Sequence, residues 1–129
     1  MPTAQIVTLT EPTANYRDLL PVQMIKWDWL CTDLGVVSSQ TLSKYSGLIS
    51  KVNIIPDGGG TAPTTLYDIT ILDEGGRDIL EGNGADCSAT ATEYLDQSDG
   101  LGNVSQSKLT LTIAAAGDAK GGIVELYLV

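Results

Sequence analysis

Histidine is absent from this 129-residue chain, and with it the commonest general base and the commonest metal-ligating side chain. Ser-His-Asp and Cys-His nucleophilic arrangements are excluded outright. Phenylalanine is also absent and aromatic residues make up only 5%, so the core has to be built from Val, Ile, Leu, Ala and Thr, a mixture that favours strands. Cysteine is limited to Cys31 and Cys87. Two cysteines form neither a disulfide framework nor the paired Cys-x-x-Cys spacing of a zinc site. With no basic or apolar leader after Met1-Pro-Thr-Ala-Gln5, free thiols are expected, a Cys31–Cys87 bridge being the alternative, and Cys31 reads as a small buried hydrophobe. Basic residues number only seven against sixteen acidic ones, a net charge of −9. That field repels polyanions, so no nucleic-acid partner is expected. No apolar run approaches the roughly 20 residues that span a bilayer, so no membrane partner is expected either.

What the chain does have is alternation. Hydrophobic residues reach 43% and charged ones 18%, a globular composition, and the apolar positions fall in short runs with a period of two. Residues 1–21 read as an N-terminal arm with a short strand at Gln5–Leu9 followed by a connector bracketed by Pro12 and Pro21; residues 22–129 read as one β-sandwich domain. From Val22 to Cys31, Ile25, Trp27, Trp29 and Cys31 share one face, which argues for a core position of both tryptophans over an exposed sugar-stacking platform. Thr32-Asp-Leu-Gly35 has turn chemistry, so Val36–Thr41 is expected to return as a hairpin partner of the tryptophan strand. Tyr45–Ile55 forms a second long strand, and Leu66–Leu72 a third with Tyr67, Ile69 and Ile71 on one face. Arg77–Leu80 reads as a short returning strand after the turn Asp73-Glu-Gly-Gly76. Ala89–Leu95 fits a helical turn or a poor strand. Ser107–Ala114 reads as one strand with Leu109, Leu111 and Ile113 inward, turned by Gly117-Asp-Ala-Lys-Gly-Gly122 into a hairpin with Ile123–Val129. That last strand is apolar on both faces and has to be central or covered by a partner. The fold class is all-β: an antiparallel β-sandwich or jelly roll of about eight strands with an extended N-terminal arm.

Chemistry-bearing constellations are few. Asp73, Glu74 and Asp78 lie close in sequence, but carboxylates beside Gly75 and Gly76 are what a hairpin turn requires, and Arg77 sits inside any Ca²⁺ loop drawn there. Gly58-Gly-Gly60 lacks the Gly-Lys-Ser/Thr sequel of a phosphate-binding loop. No catalytic, cofactor or metal residues are assigned, and the chain is expected not to be an enzyme. Tyrosines favour interfaces, so Tyr16, Tyr45 and Tyr94 are candidate partner contacts. The arm adds Ile6, Val7, Leu9, Leu19 and Leu20, which suit strand addition to a partner's sheet edge.

Three stretches, Tyr45-Ser-Gly-Leu-Ile-Ser-Lys-Val-Asn-Ile-Ile-Pro-Asp57, Thr61–Leu80 and Gly82-Asn-Gly-Ala85, together with Leu109-Thr-Leu-Thr-Ile113 and Gly117-Asp-Ala-Lys-Gly-Gly122, resemble small β-rich virion proteins of tailed bacteriophages. The likeness covers most of residues 22–129. Within that class it is most like a capsid decoration, or cement, protein. The resemblance implies a module made in the host cytoplasm that sits on the outer capsid surface and bridges major capsid protein subunits, itself a homo-oligomer, dimer or trimer. A receptor- or glycan-binding β module of a head fibre or tail is the alternative.

Overall fold

The computed structural model describes residues 4–12 and 23–129. Among them nine strands form: β1 (Ile6–Thr10), β2 (Gln23–Leu30), β3 (Val37–Gln40), β4 (Tyr45–Pro56), β5 (Asp68–Leu72), β6 (Glu93–Asp96), β7 (Asn103–Ser107), β8 (Thr110–Ala114) and β9 (Gly121–Leu128). All pair antiparallel. One six-stranded sheet has the order β1-β2-β9-β4-β6, with β7 pairing to the first part of β4; a three-stranded sheet has the order β3-β8-β5. The inner faces share one hydrophobic core, which makes the fold an antiparallel β-sandwich. It does not show a jelly roll.

Alternation decides which residues enter the core. The six-stranded sheet contributes rows that follow its register, Leu9–Trp27–Val124–Ile54 and Val7–Trp29–Gly122. Opposite stand Val37–Ile113–Ile69 and Leu111–Ile71 from the small sheet. The expected inward face of β2 is confirmed: Ile25, Trp27, Trp29 and Cys31 are all buried. Across the sandwich the rings of Trp29 and Tyr67 lie 5.9 Å apart, tilted by 48°. Room for the Trp29 indole comes from Gly122, directly opposite in register. A Cβ there would stand 2.6 Å from the Ile55 carbonyl oxygen and 3.0 Å from Trp29 Cζ2. The indole N–H groups of both tryptophans find no acceptor among the described residues, a cost that the large apolar area of two buried indoles outweighs.

Several pairings differ from the sequence-based expectation. Two turns lie where they were expected, but the chain leaving each crosses to the other sheet instead of pairing with the strand it came from. After Thr32–Gly35, whose Gly35 has φ 77°, β3 pairs with β8 and not with β2. After the loop at residues 115–120, β9 leaves β8 and inserts between β2 and β4. The expected strand Ser107–Ala114 is broken, because Ser107 ends β7 in the large sheet and Thr110 begins β8 in the small one. Arg77–Leu80 makes only the single bridge Leu72–Asp78, and of the ambiguous Ala89–Leu95 only the last three residues are strand, in β6, while residues 89–92 are irregular.

The N-terminal strand is a member of the large sheet. Gln5, Val7, Leu9 and Glu11 point toward the small sheet, and the two polar ends of this row cross the gap. The Gln5 amide takes both main-chain groups of Ser38, donating to its carbonyl at 2.7 Å and accepting its N–H at 2.8 Å. The Glu11 carboxylate accepts from the Tyr45 hydroxyl at 2.7 Å and from the N–H groups of Leu42 and Ser43 at 3.2 and 3.3 Å. One end row thus closes the open side of the sandwich with side chains in place of a strand. Substituting Glu11→Ala leaves those donors without their acceptor and should lower stability by about 1–3 kcal/mol, read from urea unfolding. Faster hydrogen exchange at the Leu42 and Ser43 amides would locate the loss; unchanged exchange there would count against the clamp.

Candidate contact surface

The residues expected to meet a partner are not brought together. Tyr16, Leu19 and Leu20 lie outside the described residues. Val7 and Leu9 are packed against the core, because the strand's inward parity commits them to it. Tyr45 is buried at 5% exposure with its hydroxyl on Glu11, so it is a core and clamp residue and not an exposed contact. Ile6 and Tyr94 are exposed, at 63% and 71%, but they sit on β1 and β6, the opposite edges of the six-stranded sheet.

What the fold does gather is the end of the sandwich where β2, β4 and β8 finish and β3, β5 and β9 begin. Three loops there are stitched to one another. Cys31 is their hub: its N–H donates to the Lys120 carbonyl at 2.7 Å, its thiol donates to the Gly117 carbonyl at 3.1 Å, and the same sulfur accepts the Lys120 N–H at 3.2 Å. Ala119 N–H bonds Thr32, Ala116 N–H bonds Gly35, and Thr64 N–H bonds Ala116. A Cβ on Gly35 would lie 2.7 Å from the Gly117 nitrogen, so the approach of the two loops demands glycine. Lys120 Nζ donates to the Gly60 carbonyl at 2.8 Å, tying in the glycine-rich segment. That segment is a 3₁₀ turn at Gly59–Thr61.

On this stitched end stand exposed aliphatic side chains. Leu34 is 80% exposed, Leu66 60% and Val36 42%. Ile6 joins them at the same end, since it pairs with Leu30 just before Cys31. Leu66 holds a left-handed backbone at φ 67°, a conformation that costs a bulky residue about 1–2 kcal/mol. It is kept there by its N–H bond to the Cys87 carbonyl at 2.9 Å and by the bridge between Tyr67 and Cys87. Ala115 and Ala119, in the adjoining loop, are left-handed as well, at φ 61° and 54°. Strained backbone held by several bonds is characteristic of sites that must keep one shape.

Set against protein-family models, curated proteins and solved structures, the chain matches none. The site therefore has to be understood from its own chemistry. Among the described residues no three Cys, Asp or Glu side chains gather as metal ligands. The carboxylates near Gly75 and Gly76 serve the backbone: Asp73 accepts from the N–H groups of Gly75 and Arg77, and Asp78 from those of Ile71, Leu80 and Gly82. Sequence reasoning missed Leu34 and Leu66. The signals were a leucine at the tip of an Asp-Leu-Gly turn, and a leucine out of phase with the inward series Tyr67, Ile69 and Ile71.

Beneath Leu66 two titratable groups are held neutral. Burial, then the Glu93 carboxylate, pushes the Cys87 thiol from its ordinary value of 9.0 up to about 12. Burial raises the Tyr67 hydroxyl too, with Cys87 and Glu93 adding to it. In the unfolded chain the thiol ionises near its ordinary value while the folded one keeps its proton. Its stabilising contribution is thus complete below pH 9.0 and is lost as pH rises toward about 12. Cys87→Ala should flatten the thiol's share of that alkaline decline in urea-unfolding curves at stepped pH; an unchanged slope would show that the thiol is not held neutral.

Proposed function

We propose that the protein is a non-enzymatic virion structural protein that decorates an assembled capsid shell and stabilises it by bridging major capsid protein subunits. The resemblance of the strand and turn segments to decoration proteins supports this reading. The observation that carries it is the stitched loop end. A protein that reinforces a shell needs a stiff body and a contact surface whose shape is set before binding, because preorganised contacts lose little ordering entropy. Leu34, Val36 and Leu66 supply apolar contact on loops that are hydrogen-bonded to one another, and the acidic body around them favours a basic rim on the partner.

The exposed face of the large sheet favours a second reading. Tyr94 stands directly opposite Asn53 in register. In the same row the buried Asn53 amide donates to Glu125 at 3.1 Å, and one row further Lys51 Nζ lies 4.8 Å from the centre of the Tyr127 ring. Exposed Tyr94 and the charged and aromatic groups beside it on the outer face suit a glycan, the chemistry of a receptor-binding head-fibre or tail module.

Co-sedimentation of the purified protein with undecorated phage capsids separates the two. Saturable binding at regular lattice positions is expected, and Leu34→Asp combined with Leu66→Asp should weaken it about tenfold or more without unfolding the chain. Binding to host cells or polysaccharide that depends on Tyr94, with none to capsids, would replace the shell reading with the receptor one.

A further inference from the structure

Charge in this chain is unevenly placed. Residues 68–99 hold nine of its sixteen acidic side chains and one of its seven basic ones, so this stretch carries −8 of the net −9. The fold lays most of it along one flank. Strand β6 is the edge of the large sheet on that side. Residues 77–87 run along β5 in the small sheet, with the Ile79 N–H on Ile71 and the Ile69 N–H on Gly84. The two are tied across the sandwich by the Asn83 amide, which donates to the Asp99 carbonyl at 2.7 Å, and by the Gly102 N–H on Ile79. Among the described residues only Glu74 and Glu81 of the nine carboxylates have an ion-pair partner, Lys44 and Arg77. Others are held in position by main-chain donors: Asp68 accepts from Asp86, Asp96 from Ser98 and Asp99 from Asp96.

Acidic side chains alone make a solvated surface. What marks a site on this flank is a buried acceptor without a donor. Asn53 is 7% exposed, and its Oδ1 is buried with no hydrogen-bond partner. It stands in one register row between Glu125 on β9 and Tyr94 on β6. Its Nδ2 donates to Glu125. The two amide atoms diverge from one carbon, so Oδ1 is turned to the side of β6, where Tyr94 is 71% exposed. The nearest cation does not fill the place: Lys51, directly opposite Asp96 in register, puts its Nζ over the Tyr127 ring on the β9 side instead. A buried acceptor left unpaired is costly, and a ligand that brings a donor removes the cost.

We propose that this flank binds a basic polypeptide segment of a partner protein, anchored by an arginine whose guanidinium stacks on the exposed Tyr94 ring, donates to Asn53 Oδ1 and lies against Asp96. Tyr94 and Asp96 share the outward parity of β6, so ring and carboxylate stand on the same face. Arginine fits this place better than lysine. Its planar guanidinium stacks on an aromatic ring while its N–H groups reach a carbonyl and a carboxylate at once, whereas an ammonium is a compact, strongly hydrated charge. Charge complementarity selects the rest of the segment, because the exposed Asp86 and Asp99 have no cation of their own. A neutral glycan on the same ring would draw nothing from the −8 around it. The inference needs no capsid and is independent of the shell-binding reading, whose contacts are Leu34, Val36 and Leu66 at the end of the sandwich.

The test is titration of the full chain into fluorescently labelled octa-arginine and octa-lysine peptides, read by anisotropy, with neutral dextran run in parallel. Saturable binding of octa-arginine is expected, with weaker binding of octa-lysine, and Tyr94→Ala should lose about two- to fivefold. Tyr94 is largely exposed, so its truncation leaves the fold intact. In NMR spectra of the wild type the Asn53 side-chain amide signals should shift on adding octa-arginine. Two double variants of equal charge separate a built surface from diffuse attraction. Asp86→Asn with Asp96→Asn removes two flank carboxylates while asparagine keeps the cap at residue 96; Asp28→Asn with Asp118→Asn removes two exposed ones elsewhere. The flank pair should weaken binding about threefold or more and the other pair less than about twofold. Equal losses in the two pairs, equal affinity for the two peptides, an unchanged Tyr94→Ala, a stationary Asn53 amide or no peptide binding at all overturns the proposal. Tyr94-dependent binding of dextran without binding of peptide likewise overturns it and assigns the face to a glycan.

Discussion

The fold turns on where a strand that is apolar on both faces can be put. Strand β9 buries Val124, Leu126 and Leu128 on its inner face and carries Ile123 and Tyr127 on its outer one. Left at an edge it would expose both an unpaired ladder and two hydrophobic rows, so it has to be flanked on both sides. Strands β2 and β4 do this in antiparallel register along nearly its whole length. Once β9 is central, the two longest apolar strands of the chain are its neighbours. Trp27 and Trp29 are then fixed over Val124 and Gly122, and the small sheet is left to cover the tryptophan face. The glycine pair at the start of β9 is part of the same constraint: an indole and the Ile55 carbonyl occupy the space that a side chain at Gly122 would need.

This explains what could and could not be seen from sequence. Facing was legible: Ile25, Trp27, Trp29 and Cys31, then Tyr67, Ile69 and Ile71, then Leu109, Leu111 and Ile113 all lie inward as a period of two requires. Turns were legible too, because glycine and aspartate mark them chemically. Partnership was not. A turn at Thr32–Gly35 or at residues 115–120 has the same local chemistry whether the chain folds back on the strand it left or crosses a core to the opposite sheet. The difference lies in contacts such as Gly35 against Gly117, remote in sequence. Six of the eight successive strand connections change sheet, so a rule that pairs neighbours in sequence fails repeatedly here.

The contact surface was legible to a smaller degree, for a related reason. Tyr45 was selected by residue type, yet its partner is Glu11, far away in the chain and close only once β1 is laid on the sheet. Leu34, Val36 and Leu66 are ordinary residues by composition. They become a surface because three loops distant in sequence are drawn to Cys31 and Gly117. The sulfur that sequence analysis placed as a small hydrophobe does fill core space, and it also organises the end of the molecule through one donated and one accepted hydrogen bond.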